Sequence, residues 1–206
     1  MKLKSILFSL FITVLLSFNS CLVVKIEDDH TVQEIKLSPK PTIKMSDKLV
    51  RSAIGDMIAF LPEGWFFVDV EKDMSENIFA VAVNPDYTLT AVFSKTDNNA
   101  KIDDIVDTEG LLGLSRYFLN QKQAKTAGAV KQKGKFRSLF AGNLKFGNYQ
   151  FTSSGGASSG NSAVFISSMN RYYEFTLMPM NLTGKSQPSK KEIQEIFDSI
   201  LATIQF

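Results

Sequence analysis

In this chain the spacing of apolar residues switches from strand-like runs to helical periodicity in two places, and that order restricts the fold. Asp56 to Leu61 is a short apolar run closed by the turn signal Pro62-Glu63-Gly64. Trp65 to Val70 and Ile78 to Val83 read as the next two strands, the latter so continuously apolar that both of its faces should be buried. Asn84-Pro85-Asp86 turns the chain into a strand from Thr88 to Ser94, which predicts an antiparallel hairpin. From Ile102 to Leu119 apolar residues recur at helical spacing, with Asp103, Asp104, Asp107 and Glu109 near the end where a helix dipole favours negative charge. Gly110 and Gly113 weaken the middle of this helix, and Gly128 to Gly134 reads as a loop or helix end. Four strands should follow as a meander. Lys135 to Ala141 and Leu144 to Ser153 pair around Gly142-Asn143; Ser162 to Ser168 and Arg171 to Met178 pair around Met169-Asn170. Ser189 and Glu192 form a capping box ahead of an apolar helix face of Ile193, Ile196, Phe197, Ile200 and Leu201. Ile204 and Phe206 should tie down the end of the chain. Strands, helix, strands, helix predict an α+β domain: an antiparallel sheet with helices packed on it, layered α/β/α. With 17 Phe and a single Trp, its core should be Phe-rich.

The first 20 residues stand outside this pattern. Lys2 and Lys4, the apolar run Ile6 to Leu16 and the small, polar end Ser17 to Ser20 read as a signal peptide. The run is too short to span about 30 Å of hydrocarbon comfortably. Phe18-Asn19-Ser20-Cys21 resembles the lipobox of bacterial lipoproteins, in which the Cys becomes the first residue and is acylated on its thiol and amine. Ser20 and Cys21 fit that pattern, whereas Phe18 and Asn19 depart from it. An uncleaved anchor helix and a secreted chain with an incidental Cys are the alternatives. The resemblance implies lipidation at Cys21 and a partner in the membrane itself. Leu22, by likeness to enteric lipoproteins, favours the outer membrane of the cell envelope. The chain thus divides into a signal peptide at 1–20, a lipidated Cys and tether at 21–47, and a globular domain at 48–206. Ser38, Pro39 and Pro41 mark the tether as a spacer, although Val32 to Leu37 alternates enough to pair as an edge strand.

Composition narrows the chemistry. The chain has one Cys and one His, Cys21 and His30, both ahead of the expected domain. A Cys/His zinc site or a disulfide needs more such residues, and a His-based catalytic group would have to be His30, read as a solvated tether residue. No metal or cofactor is expected. Removing Lys2 and Lys4 from the 23 basic residues leaves 21 against 21 acidic ones, which gives no electrostatic reason to expect nucleic acid.

Thr152 to Ser162 is the segment most like a chemical motif. Gly156-Ala157-Ser158-Ser159-Gly160 formally matches the G-x-S-x-G nucleophile elbow, but that elbow needs a following helix and a His. Gly155, Gly160 and Ser162 have phosphate-loop spacing, but Asn161 stands where Lys is required. The plain reading is a flexible Gly/Ser hairpin loop, and Ser158, Ser159 and Asn161 are its candidate partner contacts. Lys122, Lys125, Lys131, Lys133, Lys135 and Arg137 form a basic run, from which Lys131, Lys133 and Lys135 are further candidates for an acidic partner. Asp103 and Asp107 lie one turn apart and can hold a hard cation with water, but a helix-start charge cluster accounts for them. Trp65 after Gly64 reads as core or turn packing.

Three stretches carry a family resemblance. Phe60-Leu61-Pro62-Glu63-Gly64-Trp65 resembles the opening P-x-G-W of the PsbP-like superfamily, and Tyr172-Tyr173-Glu174-Phe175 its late aromatic strand. Phe197-Asp198-Ser199-Ile200-Leu201 with Ile204-Gln205-Phe206 resembles its closing helix. That superfamily includes the photosystem II extrinsic subunit, a yeast Ran-binding protein and many bacterial lipoproteins. The resemblance implies a fold and carries over no catalytic residues. The expected function is a membrane-anchored, non-enzymatic binding or accessory module with an envelope protein as partner; the alternative is a carboxylate-dependent envelope hydrolase.

Overall fold

The computed structural model describes residues 32–69, 77–153 and 158–206. The leader, Cys21 and His30 lie outside them. Ten strands are described: β1 (Gln33–Leu37), β2 (Met45–Arg51), β3 (Ile58–Pro62), β4 (Phe66–Val68), β5 (Ile78–Val83), β6 (Leu89–Thr96), β7 (Lys131–Ala141), β8 (Leu144–Ser153), β9 (Ser158–Ile166) and β10 (Tyr172–Pro179). Helix α1 (Ala100–Lys125) lies between β6 and β7, and α2 (Lys190–Leu201) follows β10.

Eight strands form one sheet in the order β1-β7-β8-β9-β10-β6-β5-β4, and β2 and β3 form a separate hairpin. The expected meander is β7 to β10, and the expected hairpin is β5–β6. Pairing of β10 with β6, Phe175 opposite Phe93, joins the two halves antiparallel. The alternating segment at Val32 to Leu37 is the edge strand β1, which departs from the rest by running parallel to β7. The folded unit therefore includes residues from Val32, well before position 48. Strand β2 was concealed because it buries only Val50 and leaves Leu49 41% exposed, so its sequence reads as a charged spacer. Thr42 N–H donates to Ser199 Oγ at 3.1 Å, which seats the intervening segment on α2.

The layers are α/β/α. Helix α1 covers β7, β8 and β9 on one face. Its core there contains Leu114, Phe118, Leu119, Tyr149, Phe151 and Val164. The other face carries α2 and the β2–β3 hairpin over a larger core with Trp65, Phe93, Phe146, Phe165, Phe175 and Phe197. Trp65 is a core residue, 3% exposed. Phe206 stacks on Phe165 with ring centroids 4.9 Å apart, and Gln205 bridges Ile58, so the chain end is fastened as its sequence suggests.

Both helices begin where side chains can satisfy free N–H groups. Asn99 accepts from Ile102 N–H at the start of α1. The Ser189 hydroxyl and Glu192 carboxylate cap α2 reciprocally. Gly110, at φ +61° and ψ −151°, breaks α1 into two helical segments, a conformation open to glycine because it lacks a Cβ. One burial expectation fails. In β5 only Ala82 and Val83 are buried and Ile78 to Val81 are half-buried, while α1 packs mainly on β7, β8 and β9.

Candidate functional site

Strand register places the candidate residues. Lys133 lies opposite Gln150, and Gln150 opposite Asn161; Lys131 lies opposite Thr152, and Thr152 opposite Ser159. Directly paired residues project to the same side of a sheet, so these two rows share one face. The first turns of α2 border the same face, where Asn161 Nδ2 points at Gln194 Oε1, 3.5 Å away. Two adjoining hollows of about 170 and 350 Å³ result. Both are lined by Lys133, Ser159, Lys190 and Ile193; Gln150, Asn161 and Gln194 complete one, and Thr152 and Ser158 border the other.

The groove is held from beneath by amides. Buried Asn148 donates through Nδ2 to Asn161 Oδ1 at 2.7 Å and to the Ser162 carbonyl at 2.8 Å. That fixes the Asn161 amide with its N–H group toward the groove, an assignment made by the hydrogen-bond network. Gln194 in turn donates to Asp198 Oδ1 at 2.8 Å. Burial raises the Asp198 carboxyl above its ordinary value, and the Gln194 bond partly offsets this. The positive charge comes from Lys133 and Lys190. Neither ammonium has an ion-pair partner among the described residues. The start of α2 is already occupied by Glu192, whose exposed carboxyl is held below its ordinary range by hydrogen bonds with Ser189.

Sequence candidates fare differently here. Lys133, Ser158, Ser159 and Asn161 converge on the groove. Lys131 is on the same face one row further along, and Lys135 lies inside the register shift between Lys133 and Arg137. Ser158 to Asn161 belong to β9, so the Gly/Ser segment is strand up to Ser153 and again from Ser158. Gly156 and Ala157 lie outside the described residues. No helix follows Gly160, whose absent Cβ would stand 2.3 Å from the Phe151 ring, so packing explains this glycine. The basic run does not form one patch. Lys122 and Lys125 belong to α1, across the sheet from Lys133. Lys190, Gln150 and Gln194, which complete the groove, escaped the sequence because helix docking and register unite them.

Of the two acidic candidates, Asp103 is engaged by a tyrosine. Asp103 accepts from the Tyr172 hydroxyl at 2.5 Å, and with Asp107 it borders a hollow of about 360 Å³. Among the described residues no cluster of three or more His, Cys, Asp or Glu can hold a metal. Asp56 accepts from Ser52 Oγ, Ser167 Oγ and Tyr173 Oη, each at 2.6 Å, which ties the β2–β3 connection to the β9–β10 turn. Burial acts to raise the Asp56 carboxyl, but the hydroxyls of Ser167, Ser52 and Tyr173 outweigh it and hold it below its ordinary value.

These contacts predict an alkaline limb of stability. Burial first, then the bonded carboxylates, push Tyr172 and Tyr173 up to about 12, and Tyr149 also lies well above its ordinary value. A raised phenol stabilises the fold fully below the unfolded tyrosine value of about 10 and loses that contribution as pH rises through the folded value. Ultraviolet titration should therefore show tyrosines ionising late, with the melting temperature falling between about pH 10 and 12. Tyr173→Phe should flatten part of that fall; titration of every tyrosine near its free value would show that the buried pairs are absent.

The layered sheet and its two helices define a PsbP-like fold. In particular, the chain is similar to the solution structure of cyanobacterial PsbP from Synechocystis sp. PCC 6803, with TM-score 0.58 at 11% identity over 77% of this chain and 91% of that one. It also aligns with LpqN, a protein involved in cell envelope biogenesis of Mycobacterium tuberculosis, at TM-score 0.40, 12% identity, 78% of this chain and 90% of that one. The immunity protein TplEi of Pseudomonas aeruginosa aligns at TM-score 0.35, 12% identity, 79% of this chain and 78% of that one. The fold rests on the first of these. No family model and no curated protein matches the sequence.

Proposed function

We propose that this protein is an envelope lipoprotein, anchored through Cys21, whose PsbP-like domain is a non-enzymatic binding module. Its groove between β7–β9 and α2 receives an acidic, extended segment of an envelope partner. The carrying observation is the row Lys133–Gln150–Asn161, completed by Gln194 and Lys190. Two ammonium groups and several amide donors suit carboxylates and backbone carbonyls. The hydroxyl of Ser158 faces that of Ser153 at 3.3 Å, and neither is hydrogen-bonded to a described lysine or carboxylate, which favours binding over acyl transfer. Anchoring is supported by the leader and the residues around Cys21, and among the described residues no helix is long and apolar enough to cross a membrane.

Two measurements test this reading. Radiolabelled palmitate should enter the wild type and fail to enter Cys21→Ser; equal labelling removes the anchor. In nuclear magnetic resonance titrations, acidic hexapeptides should shift Lys133, Asn161 and Gln194, and basic ones should not. The double variant Lys133→Gln, Lys190→Gln should bind the acidic peptides about tenfold more weakly, roughly 1.4 kcal/mol. Equal shifts from both peptide classes remove the groove as an acidic-segment site.

A further inference from the structure

The cations of the groove continue along β7 at a regular interval. Lys131 lies opposite Thr152, Lys133 opposite Gln150, and Arg137 opposite Asn148. These three partners alternate along β8, so they project to one face at steps of about 7 Å. Phe146, the next residue of that series, belongs to the core beneath α2, which identifies the face. Arg137 is four positions beyond Lys133, yet their partners on β8 are only two apart. The register shift takes up the difference and sets Arg137 one row from Lys133. Lys131, Lys133 and Arg137 therefore occupy three successive rows of the α2 face, with Lys133 and its hollow in the middle.

These charges are not met by described residues. Lys131 and Lys133 are exposed and Arg137 is half-buried. No described residue forms an ion pair or a side-chain hydrogen bond with any of the three. The acids of α2 are engaged elsewhere: Glu192 accepts from Ser189 N–H, Glu195 lies 3.6 Å from Lys191, and Asp198 accepts from Gln194. On β1, Gln33 is the residue opposite Arg137, and Glu34, opposite Ser138, projects to the other face. A guanidinium offers five donors in a planar fork that takes a carboxylate bidentately, so Arg137 is the strongest of the three contacts.

We infer that the groove selects an extended partner segment with an acidic side chain at every second position, three in succession. This rests on the groove being an acidic-segment site and specifies the pattern it accepts. In an extended chain, side chains on one face recur every two residues, about 7 Å apart, which matches the interval of the three cations. Carboxylates at alternate positions meet Lys131, Lys133 and Arg137 together. Three adjacent carboxylates cannot, because the middle one projects away from the face. Gln150 and the Asn161 N–H group, in the middle row, are left for the backbone of the segment.

The probes are two hexapeptides with blocked ends and the same composition, one alternating Glu with Thr, the other with three Glu followed by three Thr. Their net charges are equal, so a difference in affinity reports the order of residues. Both are titrated into the full chain by nuclear magnetic resonance at one ionic strength. The alternating peptide should bind about fivefold tighter, the worth of one further exposed charge pair. Arg137→Gln should remove that advantage by weakening the alternating peptide alone, and Arg137→Lys should restore most of it. Equal affinities in the wild type overturn the inference, as does an advantage that survives Arg137→Gln. In either case both peptides would still shift Lys133, Asn161 and Gln194, and the groove would stand as an acidic-segment site. If neither peptide shifts those residues, the groove is not such a site, and the inference falls with it.

Discussion

Phe175→Ala is expected to lower the free energy of unfolding by about 4 kcal/mol, within the range for emptying a fully buried phenylalanine site. Phe175 is completely buried on β10. Its ring stacks on Phe93 of β6 at 5.0 Å and 24°, and on Phe197 of α2 at 5.3 Å and 18°. The substitution opens a ring-sized cavity and removes two aromatic contacts at once. It strikes the junction of the two halves of the sheet, where β10 pairs with β6. For a domain of this size the melting temperature should fall by about 10 °C. Urea unfolding would read this as a lower midpoint with an unchanged slope. Phe67→Ala is the control. Phe67 is 44% exposed on edge strand β4, and its loss should cost under about 1 kcal/mol. Comparable losses from the two variants would contradict the packing described.

Gly147→Ala should cost about 3 kcal/mol for the opposite reason, overpacking. A Cβ at Gly147 would lie 2.4 Å from the Leu111 carbonyl oxygen and 2.4 Å from Ser115 Oγ. Ser115 is itself buried and donates to Leu111 O at 2.8 Å, so neither atom can swing away. The clash is with helix backbone, so α1 must lift off β8 or the sheet must bend. Gly147 thereby sets how closely helix and sheet approach. Ser115→Ala in the same chain should recover little, because the Leu111 carbonyl remains. Gly128→Ala provides a contrast. Its φ is +79° with nothing within 4 Å, so only backbone strain of about 1 kcal/mol is expected. Denaturant midpoints of the three variants separate contact from strain; a Gly147→Ala protein as stable as the wild type would place α1 elsewhere.

Local chemistry made much of the fold legible. The Ser189–Glu192 capping box, the turn at Gly142-Asn143 and the alternation in β7 to β10 depend on near neighbours in sequence. Strand β2 did not, because a strand that buries one residue has little alternation to display. Half of the groove was legible in Lys133, Ser159 and Asn161. Their partners Gln150, Lys190 and Gln194 are ordinary polar residues until register and docking bring them together. Glu174 lay inside an aromatic run that read as core, and its buried charge becomes intelligible only once Lys122 arrives from α1.

By itself, then, the sequence determined the order of elements, their caps and turns, and that the chain's single Cys and single His stand at positions 21 and 30, ahead of the described residues. These follow from periodicity, composition and contacts a few residues apart. Tertiary structure decided that β10 pairs with β6, that β1 joins in parallel, and that the basic run is divided between two faces. It also decided which glycine touches a helix and which glutamate is buried. Those outcomes depend on distant segments meeting, and a strand shifted by one residue reverses every side chain on it.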